Sequence, residues 1–396
     1  MASAAFMPGK TTAVTLLVAA ETLGMCLWFS SAAVLADMTA DTAVSSTRQA
    51  LLSSGVQLGF TIGALVYAIL GLPDRYDPRR VFALSAAGAA LANLSLLVLP
   101  IGGSLAIIAR ILTGALLAGV YPVGMKIAVG WGDRDRGLLV GLLVGALTLG
   151  SAAPHLLSYA GGADWRLTVA IASLLALTGG LLALLIRLGP HHAKAPAFDI
   201  SAIRLAWTDR RIRLAYAGYL GHMWELFAFW AWIGVAATTA FSLHMSDDDA
   251  LSLAKLTAFG AISIGALSSI AAGFLADRIG KANTTIIAMI GSGSAAIATA
   301  LAFGSTPALM IALVLIWGVF VIADSAQFSA LVADYAPPER AGTLLTFQTA
   351  LGFALTIITV QFTPLVADWL GWPALFVILA IGPALGTAAM MPLRKL

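Results

Sequence analysis

Long apolar segments alternate with short polar breaks along the whole chain. A helix needs about 20 mostly apolar residues to cross a bilayer, and segments of this length recur twelve times. Charged residues, Gly or Pro separate them. The pattern predicts an all-α membrane protein with spans at residues 11–35, 49–71, 79–100, 103–127, 137–160, 165–188, 213–241, 252–276, 283–303, 307–331, 341–366 and 371–393.

One polar break, residues 189–211, is longer than the others and has six spans on each side. It contains a short amphipathic stretch, in which Phe198 and Trp207 suit a membrane surface and Arg204 suits lipid headgroups. We therefore expect a first six-helix bundle at residues 1–188, a cytoplasmic linker at 189–212 and a second bundle at 213–396.

Composition supports the membrane assignment. Hydrophobic residues make up 60% of the chain and charged residues only 10%, whereas soluble domains carry about 25% charged residues. The single cysteine, Cys26, excludes an internal disulfide, and no Cys or His spacing matches a structural zinc site. We expect no cofactor.

Basic residues predict the orientation. With the N-terminus inside, eighteen Lys and Arg residues fall on the inner side, and only Arg48, Arg166 and Lys255 fall on outer loops. The positive-inside rule then places both termini in the cytoplasm, in an inner (plasma) membrane. The net charge of +3 reflects contact with anionic lipid rather than with nucleic acid. We expect a monomer whose surroundings are the lipid bilayer.

The two halves of the sequence repeat. Residue pairs match at an offset of 204, among them Glu21 with Glu225 and Gly114 with Gly318. Trp28 with Trp232 and Ala163-Asp164-Trp165 with Ala367-Asp368-Trp369 share this offset. Several matches in one register indicate duplication, and they favour two pseudo-symmetric bundles with a binding site at their interface.

Two loops carry a signature that resembles that of the major facilitator superfamily. The loop after the eighth span reads GFLADRIGKAN, and the loop after the second reads GLPDRYDPRR. In the second of these loops Asp77 replaces the inner glycine of the pattern, and Leu70, just before the stretch, replaces the leading one. The fourth span opens with Arg110-Ile-Leu-Thr-Gly114, which is similar to the family's Arg-containing motif. The resemblance covers the entire chain and implies a secondary transporter with the major facilitator fold.

The loop signature predicts a conformational latch. An Asp at a helix end beside an Arg can form charge-assisted hydrogen bonds in one conformation and lose them in another. We expect Asp74, Arg75, Asp277 and Arg278 to hold the outward-open state closed on the cytoplasmic side.

An acidic residue lies in the middle of the first and seventh spans. Glu21 and Glu225 are each roughly 15 Å along their helices, near the centre of a hydrocarbon layer about 30 Å thick. An ionisable group at this depth is expensive and indicates a transport pathway. We expect both carboxyls to border one central cavity and to couple proton and solute movement.

Other residues are expected to complete this site. His222 lies three residues before Glu225 and can act as a proton relay, and Arg110 and Asp324 are charged groups inside spans. Arg110 could neutralise Glu21 or hold a substrate carboxylate. Helical spacing adds the cavity-lining candidates Met25, Trp28, Tyr121, Phe229, Trp232 and Gln327.

Several function classes lack their signatures. The chain has no G-x-x-x-x-G-K-[ST] loop for an ATP-driven pump and no H-E-x-x-H or nucleophile constellation for an enzyme. The duplicated architecture argues against a channel. The sequence therefore predicts a proton-coupled secondary transporter of a small organic solute that works by alternating access.

Two alternatives remain open for the substrate. Acidic groups outnumber basic ones inside the spans, which favours a neutral, cationic or zwitterionic solute, but Arg110 could instead serve a carrier of small organic or inorganic anions. Met25, Cys26, Met125, Met223, His155 and His222 could supply ligands for copper or another soft metal.

Overall fold

A computed structural model describes residues 9–132, 135–162, 164–192 and 198–395. Ala163 of the sequence repeat and residues 193–197 of the predicted linker lie outside this part. Within it the chain is helical and contains no strand. The helices of the first half are α1 Lys10–Met25, α2 Ser30–Ala33, α3 Leu35–Asp41, α4 Ser46–Leu70, α5 Leu72–Arg75, α6 Pro78–Leu94, α7 Ser104–Leu117, α8 Tyr121–Val129, α9 Arg136–Gly161 and α10 Trp165–Ala183.

The second half continues with α11 Leu205–Thr208, α12 Arg210–Phe241, α13 Asp247–Ile279, α14 Lys281–Leu301, α15 Pro307–Val321, α16 Ser325–Tyr335 and α17 Pro338–Met390. Three 3₁₀ turns cover Ser95–Leu97, Ile200–Arg204 and Met391–Lys395. By length and composition, ten of the described helical segments can cross a membrane. The helix α17 is kinked at Gly371, where φ is 82°, and supplies two spans. The interrupted helices α1 to α3 run through the first predicted span, and the number of twelve spans stays a prediction.

Spans 1, 4 and 10 are interrupted, which the hydropathy pattern did not predict. Span 1 loses helical geometry at residues 26–29, span 4 at 118–120 and span 10 at 322–324. The interruptions of spans 4 and 10 fall at equivalent positions of the repeat. The seventh span, α12, is continuous at the positions equivalent to the interruption in span 1.

Close helix contacts also follow the repeat. A Cβ atom on Gly114 would overlap the carbonyl oxygen of Val56 in α4, and one on Gly318 would overlap that of Ala261 in α13. Only glycine allows helices to approach this closely. The pairs of spans 2 and 4 and of spans 8 and 10 therefore pack in the same way, as expected for duplicated bundles.

Two helix pairs make the most extensive contacts between the bundles within the described residues. The helix α9 packs along α13, and α4 packs against the first part of α17. We call the side with Lys10 and Arg210 the terminal side, and the side with Asp37 and Lys255 the far side. On the terminal side, the Lys10 ammonium donates a hydrogen bond to Asp135 at 2.8 Å within the first bundle. The backbone N–H of Asp199, in the predicted linker, donates to the Thr343 hydroxyl of the second bundle at 3.0 Å.

Local capping explains where several helices begin. The helix α13 starts five residues before its predicted span because the hydroxyl of Ser246 accepts the N–H of Asp249 and three Asp residues complement the helix dipole. In the loop after span 2, Asp77 replaces the motif glycine because its carboxylate accepts the N–H of Arg79 and caps α6. The hydrogen bond from the Arg79 side chain lowers the pKa of the Asp77 carboxyl. The second copy has Gly280, whose φ of 89° suits glycine.

Candidate functional site

Glu21 lies inside the first bundle and is fully buried. A Cβ on Gly124 of α8 would overlap its Oε2 atom, and the Phe82 ring of α6 lies beside the same point. Neither carboxyl oxygen has a hydrogen-bond partner among the described residues. Glu21 is therefore directed between spans 1, 3 and 4 of its own bundle.

Glu225 takes the equivalent position in the second bundle. Its Oε2 accepts the hydroxyl of Ser292 in α14, and its Oε1 accepts the indole N–H of Trp317 in α15, both at 2.7 Å. It is thus directed between spans 7, 9 and 10. The expectation that both carboxyls border one chamber is corrected for this state, because each one faces its own bundle.

His222 and Asp324 form a buried pair close to Glu225. The Nδ1 atom of His222 lies 2.8 Å from Oδ1 of Asp324, which occupies the interruption between α15 and α16. The Nε2 atom of His222 has no partner within the described part of the chain. Gln327 follows in the first turn of α16 and is nearly buried. The second bundle therefore concentrates three titratable groups, Glu225, His222 and Asp324, in one region.

Arg110 is fully buried and holds the interruption of span 1. Its Nη2 donates to the carbonyl oxygens of Leu27 and Trp28 at 3.1 and 2.8 Å. Its Nη1 donates to Ser30 Oγ at 3.1 Å and to Asn93 Oδ1 at 2.6 Å. A cation is favourable at these carbonyls because they lie just past the C-terminal end of α1. The structure thus corrects the expected partner of Arg110, which is the backbone of span 1 rather than Glu21.

Six aromatic side chains close the interface between the bundles at the level of this interruption. We call them the aromatic plug, and they are Trp28, Phe29, Phe60, Phe227, Trp230 and Phe353. Trp28 touches the rings of Phe60 in the first bundle and of Phe227 and Phe353 in the second, with centroids 4.8 to 5.6 Å apart. The interruption turns Trp28 toward the second bundle, away from the direction that Glu21 takes.

The remaining predicted cavity residues lie apart from the plug. Phe229 packs on Trp317 with centroids 4.5 Å apart, and the indole of Trp232 donates to the Val360 carbonyl at 3.0 Å, so both belong to the interior of the second bundle. Met25 packs against Gly150 of α9, and Tyr121 starts α8 and is partly exposed. Of the predicted lining residues, Trp28 alone belongs to the plug.

A second contact between the bundles lies on the far side. The Nζ atom of Lys255 donates to Asp37 Oδ2 at 2.8 Å, to the Gly162 carbonyl at 3.2 Å and to the Ser158 carbonyl at 3.5 Å. Lys255 was expected on an outer loop, but the cap of α13 places it inside the helix, where 7% of it is exposed. Sequence reasoning missed this pair because Asp37 and Lys255 are far apart in the chain.

The predicted latch residues lie on the terminal side. Asp74 pairs with Lys126 of span 4, which also donates to the Pro73 carbonyl at 3.0 Å. Arg75, Asp277 and Arg278 are exposed. Another terminal-side pair, Lys281 with Asp334, also stays within one bundle. The latch is not engaged between bundles by these pairs, and its role stays a prediction.

The soft-metal alternative finds little support in these positions. Among the described residues, no group of three or more His, Cys, Asp or Glu side chains could hold a metal ion. His155 and His222 lie on different bundles, and His222 is engaged with Asp324. Cys26 donates to the Thr22 carbonyl at 3.3 Å.

Comparisons with known proteins agree with the architecture. The sequence model of the Major Facilitator Superfamily matches residues 16–359 and again residues 226–395. No curated protein matches the chain. One similar solved structure is the crystal structure of an Asp-to-Ala mutant of the nucleoside transporter NupG, with a TM-score of 0.69 and 14% identity over 96% of this chain and 99% of that one. At this identity the likeness concerns the fold alone.

Proposed function

Because the chain belongs to the major facilitator superfamily, we propose that it moves a small organic solute by alternating access and couples this movement to protons. Membership makes it an integral membrane protein and a secondary transporter of small solutes rather than an enzyme. The coupling ion, the residues and the direction of the termini belong to the proposal.

The observation that carries proton coupling is the pair of buried carboxyls at equivalent positions of the two bundles. Glu225 accepts two hydrogen bonds from neutral donors, which favour its ionised form. Glu21 has no donor, and an ionised carboxylate there would cost several kcal/mol, so we take Glu21 to carry a proton in this state. The two equivalent carboxyls therefore lie in different hydrogen-bonding surroundings, and a change of these surroundings during transport would change whether each one holds a proton.

We assign proton transfer in the second bundle to Glu225, His222 and Asp324 together. His222, which pairs with Asp324, lies one helical turn before Glu225 on α12, and its imidazole can relay a proton. Arg110 has a structural role: it binds the backbone at the interruption of the first span and so positions Trp28 in the plug.

Alternating access gives the interface contacts their roles. The aromatic plug and the Asp37–Lys255 pair close the path toward the far side. Opening there must separate both contacts, and Asp74, Arg75, Asp277 and Arg278 would then close the terminal side. The bias of basic residues favours a cytoplasmic terminal side in an inner membrane. The linker at residues 189–212 separates the two moving bundles of what we take to be a monomer.

For the substrate we favour a neutral, cationic or zwitterionic solute. Nucleosides belong in a first screen because the NupG structure shares the fold. The anion alternative is weaker, since an anion would have to displace four hydrogen bonds from Arg110 to reach it. For copper, no group of three or more His, Cys, Asp or Glu side chains among the described residues could hold the ion.

The test begins with a thermal-shift screen of the purified protein against nucleosides, amines, amino acids, carboxylates and Cu(I), since a ligand of the folded state raises the melting temperature. The ligand found is then followed into proteoliposomes with and without a proton gradient. We expect the gradient to drive accumulation in the native protein, and Glu225→Gln to lose accumulation while keeping exchange without a gradient. Accumulation that ignores the proton gradient would contradict the proposal.

A further inference from the structure

A cavity of about 230 Å³ lies between the bundles on the far side of the aromatic plug. Its walls come from spans 1 and 5 of the first bundle and spans 7 and 8 of the second. Apart from His155, Lys255, Val235 and Leu251, all the lining residues are Ala, Gly, Ser or Thr. Ala231 directly follows Trp230 of the plug and Ala32 lies three residues after Phe29, so the cavity lies beside the plug.

The charge of this cavity is compensated from within the protein. Lys255 is the lining cation, and its ammonium has acceptors in the Asp37 carboxylate and the Gly162 and Ser158 carbonyls. An ammonium has three N–H donors, so these acceptors match its capacity. Asp37 is itself buried. An anion entering here would have to compete with Asp37, and a cation with Lys255, and either exchange would leave a buried charge unpaired.

One polar side chain of the wall has an atom without a hydrogen-bond partner. His155 is 3% exposed, and its Nε2 has no partner within the described part of the chain. The hydroxyls of Thr238 and Thr239 donate to carbonyls of their own helix and can still accept a hydrogen bond. The walls otherwise present methyl groups.

We propose that this cavity is a binding site on the transport path, which takes small uncharged solutes by a hydrogen bond to His155. It disfavours ions because Lys255 and Asp37 neutralise each other. The volume is below the 300 to 1,000 Å³ that is usual for drug-sized ligands, so the occupant is a small solute or one part of a larger one. The proposal does not depend on proton coupling.

Cysteine labelling tests the charge preference directly. Thr238→Cys places a thiol in the wall, Leu243→Cys places one at an exposed position on the same side, and the native Cys26 is buried and serves as the background. Each variant is treated with neutral, cationic and anionic methanethiosulfonates. Each labelling rate at Thr238→Cys is divided by the rate of the same reagent at Leu243→Cys. We expect this ratio to be about tenfold or more higher for the neutral reagent than for either charged reagent, because burying an uncompensated charge slows entry by more than a factor of ten.

Equal relative rates for a charged and the neutral reagent would overturn the proposal. If Thr238→Cys does not fold, Ser242→Cys offers a thiol nearer the mouth of the cavity. Two further variants reverse the preference. In Asp37→Asn the unpaired Lys255 should increase the rate of labelling by the anionic reagent. In Lys255→Met the unpaired Asp37 should increase the rate of labelling by the cationic reagent. An unchanged preference in both variants would show that this pair does not set it.

Protection experiments test the hydrogen bond. Acetamide, acetate and ethylammonium are similar in size and differ in charge, and each is added before the neutral reagent. We expect acetamide to slow labelling of Thr238→Cys and the two ions to have less effect. Adding His155→Phe should abolish protection by acetamide while leaving the uninhibited labelling rate in place. Protection by acetate equal to that by acetamide, or protection that survives His155→Phe, would contradict the site.

Discussion

The two bundles share one skeleton but differ in their buried polar groups. Both interrupt the fourth helix of the bundle at the same place and bring its glycine, Gly114 or Gly318, onto a neighbouring backbone. At the position equivalent to Arg110, however, the second bundle has Val314, and its first helix is continuous. The guanidinium and the interrupted helix therefore occur together.

The carboxyls differ in the other direction, because the one in the second bundle has the hydrogen-bond partners. Glu21 has no hydrogen-bond donor, whereas Glu225 has two and lies near the His222–Asp324 pair. The first-bundle residues equivalent to His222, Asp324 and Ser292 are Val18, Val120 and Gly88. Backbone contacts were thus retained after duplication while the polar chemistry diverged, with a structural cation in one bundle and a titratable cluster in the other.

The largest expected effect comes from removing the cation of the first bundle. Arg110→Met leaves the Trp28 carbonyl without its guanidinium donor, and the Leu27 carbonyl and the Asn93 amide oxygen with only the hydroxyl of Ser30 to share. We expect a loss of about 3 to 5 kcal/mol in the free energy of unfolding, because each buried acceptor left without a donor costs about 1 to 3 kcal/mol. Chemical unfolding in detergent measures it.

The matched control for Arg110→Met is Val314→Ala at the equivalent position of the second bundle. It removes only methyl groups and should leave the continuous α12 in place. If Arg110→Met were no more destabilising than Val314→Ala, the link between the guanidinium and the interrupted first span would be lost.

The shared skeleton predicts equal effects for two glycine substitutions. Gly114→Ala and Gly318→Ala each force a methyl group onto a carbonyl oxygen, and each should lower the free energy of unfolding by about 3 kcal/mol through overpacking. Gly273→Ala is the control, because a Cβ there meets nothing within 4 Å. A large difference between the two substitutions would refute equivalent packing in the two bundles.

The carboxyls should respond differently to amidation. Glu225→Gln can keep its oxygen on the indole N–H of Trp317, but the Ser292 hydroxyl must then accept from the new NH₂ group and loses its own acceptor, so we expect a cost of about 1 kcal/mol of unfolding free energy. Glu21→Gln replaces a side chain without hydrogen bonds by one of nearly the same shape, and we expect little change. Parallel melting curves of the two variants measure the difference, and the reverse order of stabilities would contradict the assigned protonation of Glu21.

The smallest effect concerns the two loop motifs, in which Asp77 and Gly280 occupy equivalent positions. Asp77→Ala removes the cap of α6 and should cost about 1 kcal/mol at neutral pH. The pKa of this carboxyl is lowered in the folded protein, so its contribution is full above the unfolded-state pKa and disappears as the pH falls through the folded-state pKa. Native protein and Asp77→Ala should therefore converge in stability in acid, and a constant difference over this range would exclude the cap.

The sequence predicted much of the skeleton because hydropathy and the repeat depend on composition along the chain. The apolar helical segments and their arrangement in two similar bundles could be derived in this way. The interruption at residues 26–29 could not, because this stretch is apolar and contains neither Gly nor Pro. Without it, helical spacing assigned Glu21 and Trp28 to one face.

The partners of the buried charges were also beyond the sequence. Helical rotation gives the residues that share a face but not whether that face turns toward the other bundle or toward its own, which is why one shared chamber was expected. Arg110 binds backbone carbonyls, and such acceptors carry no signal in the residue types. Asp37 and Lys255 lie in different bundles, and only the packing of α9 on α13 brings them together.

Proton exchange on ligand binding tests the central claim most directly. The purified protein, in weakly buffered solution with a pH indicator, is mixed with the ligand found in the screen. We expect a pH-dependent release or uptake of protons by the native protein, and its loss in Glu225→Gln at ligand concentrations that still saturate binding. Saturable binding without any proton exchange in the native protein between acid and alkaline pH would contradict coupling through the buried carboxyls.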